Sequence, residues 1–99
     1  MAQIVGIGAA VLDILVTVDS YPQEDTKLQG LITKFQGGGP CFTGLVAVSK
    51  LGVECCYMGT LGDDMYGDYI RDACDTYGVG RANVRTIANS QSFHSVVLL

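Results

Sequence analysis

Residues 35–44 read FQGGGPCFTG, and this stretch decides which fold the sequence predicts. Three consecutive glycines, Gly37–Gly39, stand between an extended segment and a run that predicts a helix. Glycine permits positive φ angles and the close approach of a ligand, and a helix that starts there directs N–H groups and a positive dipole end toward that ligand. The stretch therefore predicts either a ligand-binding turn or a tight strand-to-helix connection.

A helix is predicted directly after the glycines, over the residues PCFTGLVAVSKLG. Apolar residues recur there at the spacing of one helical face, and Ala47, Val48 and Leu51 extend the apolar surface to the other faces. We therefore expect this helix to be buried nearly all round. Gly52 stands where a glycine in the left-handed conformation ends many helices.

Extended segments and one further helix flank this region. QIVGIGAA predicts a buried strand, and DILVTVDSYP and KLQGLITKFQ predict two extended segments with no helix between them. VECCYMGTLG predicts a strand, DDMYGDYIRDACDTYGV a helix, and NVRTIA and SFHSVVLL two final strands. Strands that alternate with helices predict an α/β fold with a parallel sheet. The helix-free pair predicts an antiparallel ribbon that projects from this sheet.

The composition of the 99 residues argues against several classes of protein. A net charge of −4 with only 6 Lys and Arg disfavours nucleic-acid binding and a basic membrane-binding patch. No apolar run approaches the roughly 18 residues of a membrane helix. The apolar N-terminal segment contains Asp13 and lacks the basic residues of a secretory signal. We expect a cytoplasmic protein with no nucleic-acid partner and no membrane partner.

The cysteines and the single histidine, His94, do not form a metal-binding pattern. The four cysteines include no C-x-x-C pair, and adjacent Cys55 and Cys56 would point to opposite faces of a strand. We therefore expect reduced, mostly buried thiols and no zinc site.

Four features follow one another in a fixed order along the chain. They are the glycine turn, a helix ending in Leu51-Gly52, a strand ending in GDD at residues 62–64, and a helix beginning near Gly67. Together with the opening GAAVLDILVTVDSYP and the late SFHSVVLL, this order resembles the N-terminal region of the ribokinase family, also called the PfkB-type carbohydrate kinases. The resemblance covers nearly the whole chain. It implies a three-layer α/β/α fold with a small β-lid over a sugar site, incomplete in this chain.

The resemblance also implies an activity and a set of substrate-binding residues. Members of the family transfer the γ-phosphate of ATP, with Mg²⁺, to a hydroxymethyl group of a sugar. Asp13 would accept hydrogen bonds from sugar hydroxyls, since a carboxylate offers acceptors to two adjacent hydroxyls. Gly38 and Gly39 would offer backbone contacts to the sugar. Thr43 stands where many members have Asn, and its shorter side chain leaves the identity of the sugar open.

The same resemblance implies that residues 1–99 are the N-terminal part of a sugar-kinase domain, with a lid ribbon at about 11–36 and no catalytic residue. The family's catalytic Asp and ATP site lie in a C-terminal half, and these residues contain no G-x-x-x-x-G-K-[ST] motif. The chain stops within the apolar SVVLL, so we expect a fragment that lacks kinase activity and binds neither ATP nor Mg²⁺ itself. We also expect a homo-oligomer, formed through the lid or an exposed sheet edge.

Other interpretations stay open at this point. The chain could be a non-catalytic small-molecule-binding or dimerisation module of the same fold. A dinucleotide-binding fold at residues 6–8 would need a helix where the sequence predicts a strand. Asp13 could cap or end a strand, and His94 could be a packing residue or face the substrate. Asp63 and Asp64 are expected to cap a helix rather than to bind Mg²⁺.

Overall fold

The computed structural model describes residues 3–99 of the chain. Six strands and two helices follow one another in this part: β1 (Ile4–Ile7), β2 (Val11–Thr17), β3 (Ile32–Gly38), α1 (Pro40–Lys50), β4 (Cys55–Gly62), α2 (Met65–Tyr77), β5 (Val84–Ile87) and β6 (His94–Leu98). Each element lies within or overlaps a segment for which the sequence predicts the same kind of structure. Neither helix in the described part is long and apolar enough to span a membrane.

The strands form two sheets. One is parallel, in the order β1-β4-β5, and the other has the order β3-β2-β6. In the second sheet β2 and β3 are antiparallel, as predicted for the ribbon, and β6 joins β2 in parallel. We call this second sheet the lid sheet. The arrangement confirms the predicted α/β fold with a projecting ribbon, and the strand that follows β1 rules out a dinucleotide-binding βα turn there.

Helix α1 begins and ends as the sequence predicts. Its first residue is Pro40, whose missing N–H group is not needed at this position. After the helix, Gly52 has a φ of 85°, and the N–H groups of Gly52 and Val53 bond to carbonyls of the last turn. The prediction that this helix is buried nearly all round is wrong, because only Phe42 and Leu45 are buried. α1 packs on β1 and β4 with one face, and its outer face meets solvent.

Helix α2 carries a stabilising group at each end. Its N-cap is Asp64, whose carboxylate accepts a hydrogen bond from the N–H of Gly67 at 2.9 Å. Gly78 ends the helix in the left-handed conformation, with a φ of 72°. Ile70 and Cys74 are buried, so this face of the helix packs against the core.

The core lies between the parallel sheet and the two helices. Its largest fully buried side chains there are Tyr57, Phe42, Ile70 and Cys74. Strand β1 departs from the predicted burial, since its apolar side chains are exposed and Ile7 is 76% exposed. Val5 and Ile7 lie on the face of the sheet opposite α1, since Gly6 on the other face lies against Leu45 of that helix. Met58 of the central strand β4 pairs with Ile7 and is exposed on the same face.

The four cysteines are free thiols, as the sequence predicts. Cys55 and Cys74 are buried, and Cys41 and Cys56 are half-buried. Burial raises the pKa of the Cys74 thiol to about 11. It also raises the pKa of the Cys55 thiol. These two thiols therefore stay protonated at neutral pH and serve as core residues.

Candidate functional site

The lid sheet has two chemically different faces. Because side chains alternate along a strand, Leu12 lies on one face and Asp13 on the other. His94 pairs with Leu12 and shares its face. Gln36 and Ser95 pair with Asp13 from the two neighbouring strands, so they share the Asp13 face. We call the surface formed by Asp13, Gln36 and Ser95 the polar face of the lid.

Helix α2 packs against the opposite face of the lid. The ring of Tyr66 stacks on that of His94, with centroids 4.1 Å apart and planes at 16°. Tyr69 meets Phe35 edge to face, and its hydroxyl donates to the Phe35 carbonyl at 3.1 Å. His94 is therefore a packing residue, and it lies on the face opposite Asp13.

Asp13 lies inside β2, so it neither caps nor ends a strand. The hydroxyl of Ser95 donates a hydrogen bond to its Oδ1 at 2.6 Å. The other oxygen, Oδ2, lies so close to the backbone of Gly38 that a side chain at position 38 would overlap it. The structure thus brings together Asp13 and Gly38, which the sequence predicts to share a site, and adds Ser95 to them.

Gly39 makes the turn from β3 to α1. Its φ is 90°, and a Cβ atom there would lie 2.6 Å from the carbonyl oxygen of Ala9. Both constraints require glycine, so this position explains part of the glycine cluster as a tight connection. Pro40 has no N–H, and the N–H of Phe42 donates to the Ala9 carbonyl at 3.4 Å. The helix start therefore offers a ligand fewer donors than the glycine cluster alone predicts.

A cavity lies at the carboxyl end of β1. The hydroxyl of Tyr57 donates to the Gly8 carbonyl at 2.7 Å and so holds the segment that leads from β1 into the lid. Burial raises the pKa of this Tyr57 hydroxyl. A cavity of about 260 Å³ lies between that segment, Tyr57 and Phe93. Ligands of open α/β sheets bind beyond the carboxyl ends of the strands, which is where this cavity lies.

Thr43 lies apart from this cavity. It is exposed on α1, and its N–H donates to the Gly39 carbonyl at 3.0 Å. With Phe35, Gln36 and Tyr69 it lines a different cavity, of about 340 Å³, between the two helices and the edge of β3. Gly37 of the glycine turn also lines this second cavity, and Asp13 lines neither of the two cavities.

Protein donors already occupy the carboxylates of Asp63 and Asp64. Asp63 accepts the N–H groups of residues 89–90, at 2.9 and 3.3 Å, and these bonds hold its pKa below the usual range. Partial burial alone raises the pKa of Asp64, but hydrogen bonds from Gly67 and Ser92 outweigh it and lower that pKa. Asp64 is the predicted helix cap, whereas Asp63 accepts hydrogen bonds from the turn at residues 89–90. Within residues 3–99 no three His, Cys, Asp or Glu side chains group closely enough to hold a metal.

Reasoning from the sequence missed Ser95 as a site residue. Its signal was a hydroxyl side chain inside the otherwise apolar strand SFHSVVLL. That signal became interpretable only with the pairing of β6 and β2, which joins Ser95 to a residue 82 positions earlier in the chain.

The fold class and the chain's relatives agree. A parallel sheet with helices and a separate three-stranded lid define a ribokinase-like α/β protein. Residues 1–97 match the pfkB family carbohydrate kinase. The chain therefore belongs to the pfkB family of carbohydrate kinases, which confirms the resemblance drawn from the sequence.

Individual relatives support the same assignment. Ketohexokinase from Mus musculus is 38% identical over 68 residues, which cover 69% of this chain and 23% of that enzyme. Ribokinase from Arabidopsis thaliana is 30% identical over 98 residues, or 97% of this chain and 26% of the enzyme. The structure of Arabidopsis thaliana ribokinase complexed with ribose and ATP superposes with a TM-score of 0.90 at 30% identity, covering 100% of this chain and 33% of that chain. The chain thus spans only 23% and 26% of the length of these two curated relatives.

Proposed function

We propose that this chain is the N-terminal, substrate-binding portion of an ATP-dependent carbohydrate kinase that transfers phosphate to a sugar hydroxymethyl group. The observation that carries the proposal is the Asp13 carboxylate. It is oriented by Ser95 and placed against Gly38 on the polar face of the lid. Within the pfkB family, a carboxylate in this place suits a ligand with several hydroxyl groups.

In this proposal the predicted site residues divide into two groups. Asp13 accepts hydrogen bonds from sugar hydroxyls, and the backbone of Gly38 and Gly39 also contacts the sugar. Thr43 belongs to the proposed site through its match to a family position, and it lines one cavity together with Gly37 of the glycine turn. The relatives are named for ribose and for ketohexoses, so both classes of sugar are candidate substrates.

The residues that bind ATP and Mg²⁺ belong, in this proposal, to a part of the protein outside residues 1–99. Phosphoryl transfer needs phosphate-binding donors, a metal and a group that positions the nucleophile. The carboxylates of Asp63 and Asp64 are committed to backbone and Ser92 donors, so they do not fit a magnesium site. Residues 1–99 by themselves are therefore expected to bind part of the sugar without phosphorylating it.

We also propose that the chain associates with copies of itself. β3 and β6 are the two edges of the lid sheet, and among residues 3–99 each pairs with β2 alone. Exposed apolar side chains accompany these edges, among them Leu31, Ile32, Val96 and Leu98. Unpaired strand edges and exposed apolar patches favour association with another chain.

The site is tested by replacing Asp13 with Asn in the full-length natural protein that contains these residues. We expect the binding of D-ribose or D-fructose, measured by calorimetry, to weaken by about 1–3 kcal/mol, the range for a lost hydrogen bond to a charged group. Asn keeps the shape of the side chain but removes the charge and half of its acceptor oxygens.

Asp72→Asn provides the matched control, because Asp72 is exposed on α2 and undergoes the same chemical change. Unchanged sugar affinity in Asp13→Asn, or equal losses in both variants, would return Asp13 to a purely structural role.

A further inference from the structure

Ser95 holds the Asp13 carboxylate from one side. Its hydroxyl donates to Oδ1 at 2.6 Å, a short distance typical of a bond to a charged acceptor. β6 pairs with β2 in parallel and places the two residues directly opposite each other. Both side chains are half-buried, so the bond is partly shielded from competing water.

The backbone of Gly38 lies beside the other carboxylate oxygen. Oδ2 lies in the space that a side chain at position 38 would occupy, and β3 holds Gly38 beside Val11 in the lid sheet. Ser95 thus holds Oδ1, and the absence of a side chain at Gly38 leaves the space that Oδ2 occupies. A carboxylate has about four acceptor positions, and Ser95 uses one of them. A ligand can use the remaining acceptor positions while the Asp13 side chain keeps the rotamer it already has.

We propose that Ser95 is a positioning residue that orients Asp13 for sugar binding. This inference rests on the proposed function, in which Asp13 accepts hydrogen bonds from sugar hydroxyls. Orientation before binding lowers the entropy lost on complex formation, so it raises affinity without a new contact to the ligand. It also makes the site complete only when β6 is paired with β2. The reacting hydroxymethyl group is not involved, so the effect belongs to sugar binding.

The decisive comparison is Ser95→Thr against Ser95→Val in the full-length natural protein. The two replacements have the same shape and both suit a strand, and only Thr keeps the hydroxyl. We expect Ser95→Thr to bind D-ribose or D-fructose about fivefold to tenfold more tightly than Ser95→Val, the effect of one hydrogen bond. The Michaelis constant for the sugar should rise in Ser95→Val by the same factor, with a smaller change in kcat.

Three further variants separate positioning from simple stabilisation. In an Asp13→Ala background, Ser95→Val and Ser95→Thr should bind the sugar equally, because the group that Ser95 orients is gone. Ser49→Ala is the matched control, since it removes a hydroxyl that donates to the Tyr77 carbonyl at 2.6 Å and joins the last turns of the two helices. Its sugar affinity should equal that of the wild type.

Each outcome decides between the two proposals. If the wild type binds sugar and Asp13→Asn weakens binding, equal affinities of Ser95→Thr and Ser95→Val would overturn the role of Ser95 and leave the proposed function standing. A difference that persists in the Asp13→Ala background would also overturn it, because Ser95 would then act independently of Asp13. If the wild type binds neither sugar, the proposed function fails, and the role of Ser95 fails with it.

Discussion

Replacing Asp64 with Ala should destabilise the protein far more than a typical surface substitution. Oδ1 accepts the N–H of Gly67 at 2.9 Å and the hydroxyl of Ser92 at 2.8 Å, while Oδ2 accepts the N–H of Ser92 at 2.8 Å. Ser92 is buried, and its hydroxyl oxygen also accepts the N–H of Gly62 at 2.8 Å. One carboxylate therefore joins the start of α2 to the end of β4 and to the segment that leads into the lid.

The magnitude follows from these bonds. Loss of an N-cap carboxylate costs about 1 kcal/mol. Each of the two bonds from Ser92 adds about 1 kcal/mol or more, because the acceptor is charged and the buried donors keep no partner. The free energy of unfolding should therefore fall by about 3 kcal/mol in Asp64→Ala, as measured by urea denaturation of the full-length protein at pH 7.

The control and the pH dependence make this prediction strict. Asp68 is also in α2, but its side chain is 72% exposed and pairs only with Arg71, so Asp68→Ala should cost less than about 1 kcal/mol. The pKa of Asp64 is lowered in the folded protein, so its contribution is fully present above the unfolded-state pKa of about 3.9 and is lost as the pH falls through the folded pKa. The difference between wild type and Asp64→Ala should shrink at pH 3. Equal costs for Asp64→Ala and Asp68→Ala at pH 7 would refute the reasoning.

Two further predictions concern the glycine turn and the exposed lid. Gly39→Ala should lower the melting temperature and reduce the free energy of unfolding by about 1–3 kcal/mol. The reasons are the φ of 90° at this position and the nearby Ala9 carbonyl. Gly44→Ala, with nothing within 4 Å of the added methyl group, should raise the melting temperature, and shifts of the same sign would contradict this account. Residues 1–99 expressed alone should elute as a dimer or larger assembly in size-exclusion chromatography with light scattering. A clean monomer there would count against self-association.

Local chemistry explains what the sequence predicted well. The end of α1 at Gly52 depends on left-handed glycine, and the start of α2 at Asp64 depends on a side-chain cap. Both kinds of signal are complete within a few residues. The antiparallel ribbon could also be predicted from the sequence, because its two strands are consecutive in the chain and no helix separates them.

Pairing between distant segments explains what the sequence did not predict. The bond between Ser95 and Asp13 depends on the register in which β6 pairs with β2. The resemblance implies that SFHSVVLL is a lid strand, but it does not indicate which of its residues lies opposite Asp13. The burial of α1 was overestimated because apolar composition does not reveal how many layers cover a helix. The role of Thr43 in the site stays a prediction that rests on its match to a family position.

The most direct test of the proposed kinase function is an assay for ADP formation by the full-length natural protein with ATP, Mg²⁺ and either D-ribose or D-fructose. The account predicts that ADP forms only when sugar is present, and that Asp13→Asn lowers kcat/KM about tenfold or more. Residues 1–99 alone should form no ADP. The absence of sugar-dependent ADP formation with either sugar, in a protein that is folded, would contradict the account and favour a non-catalytic binding or dimerisation module.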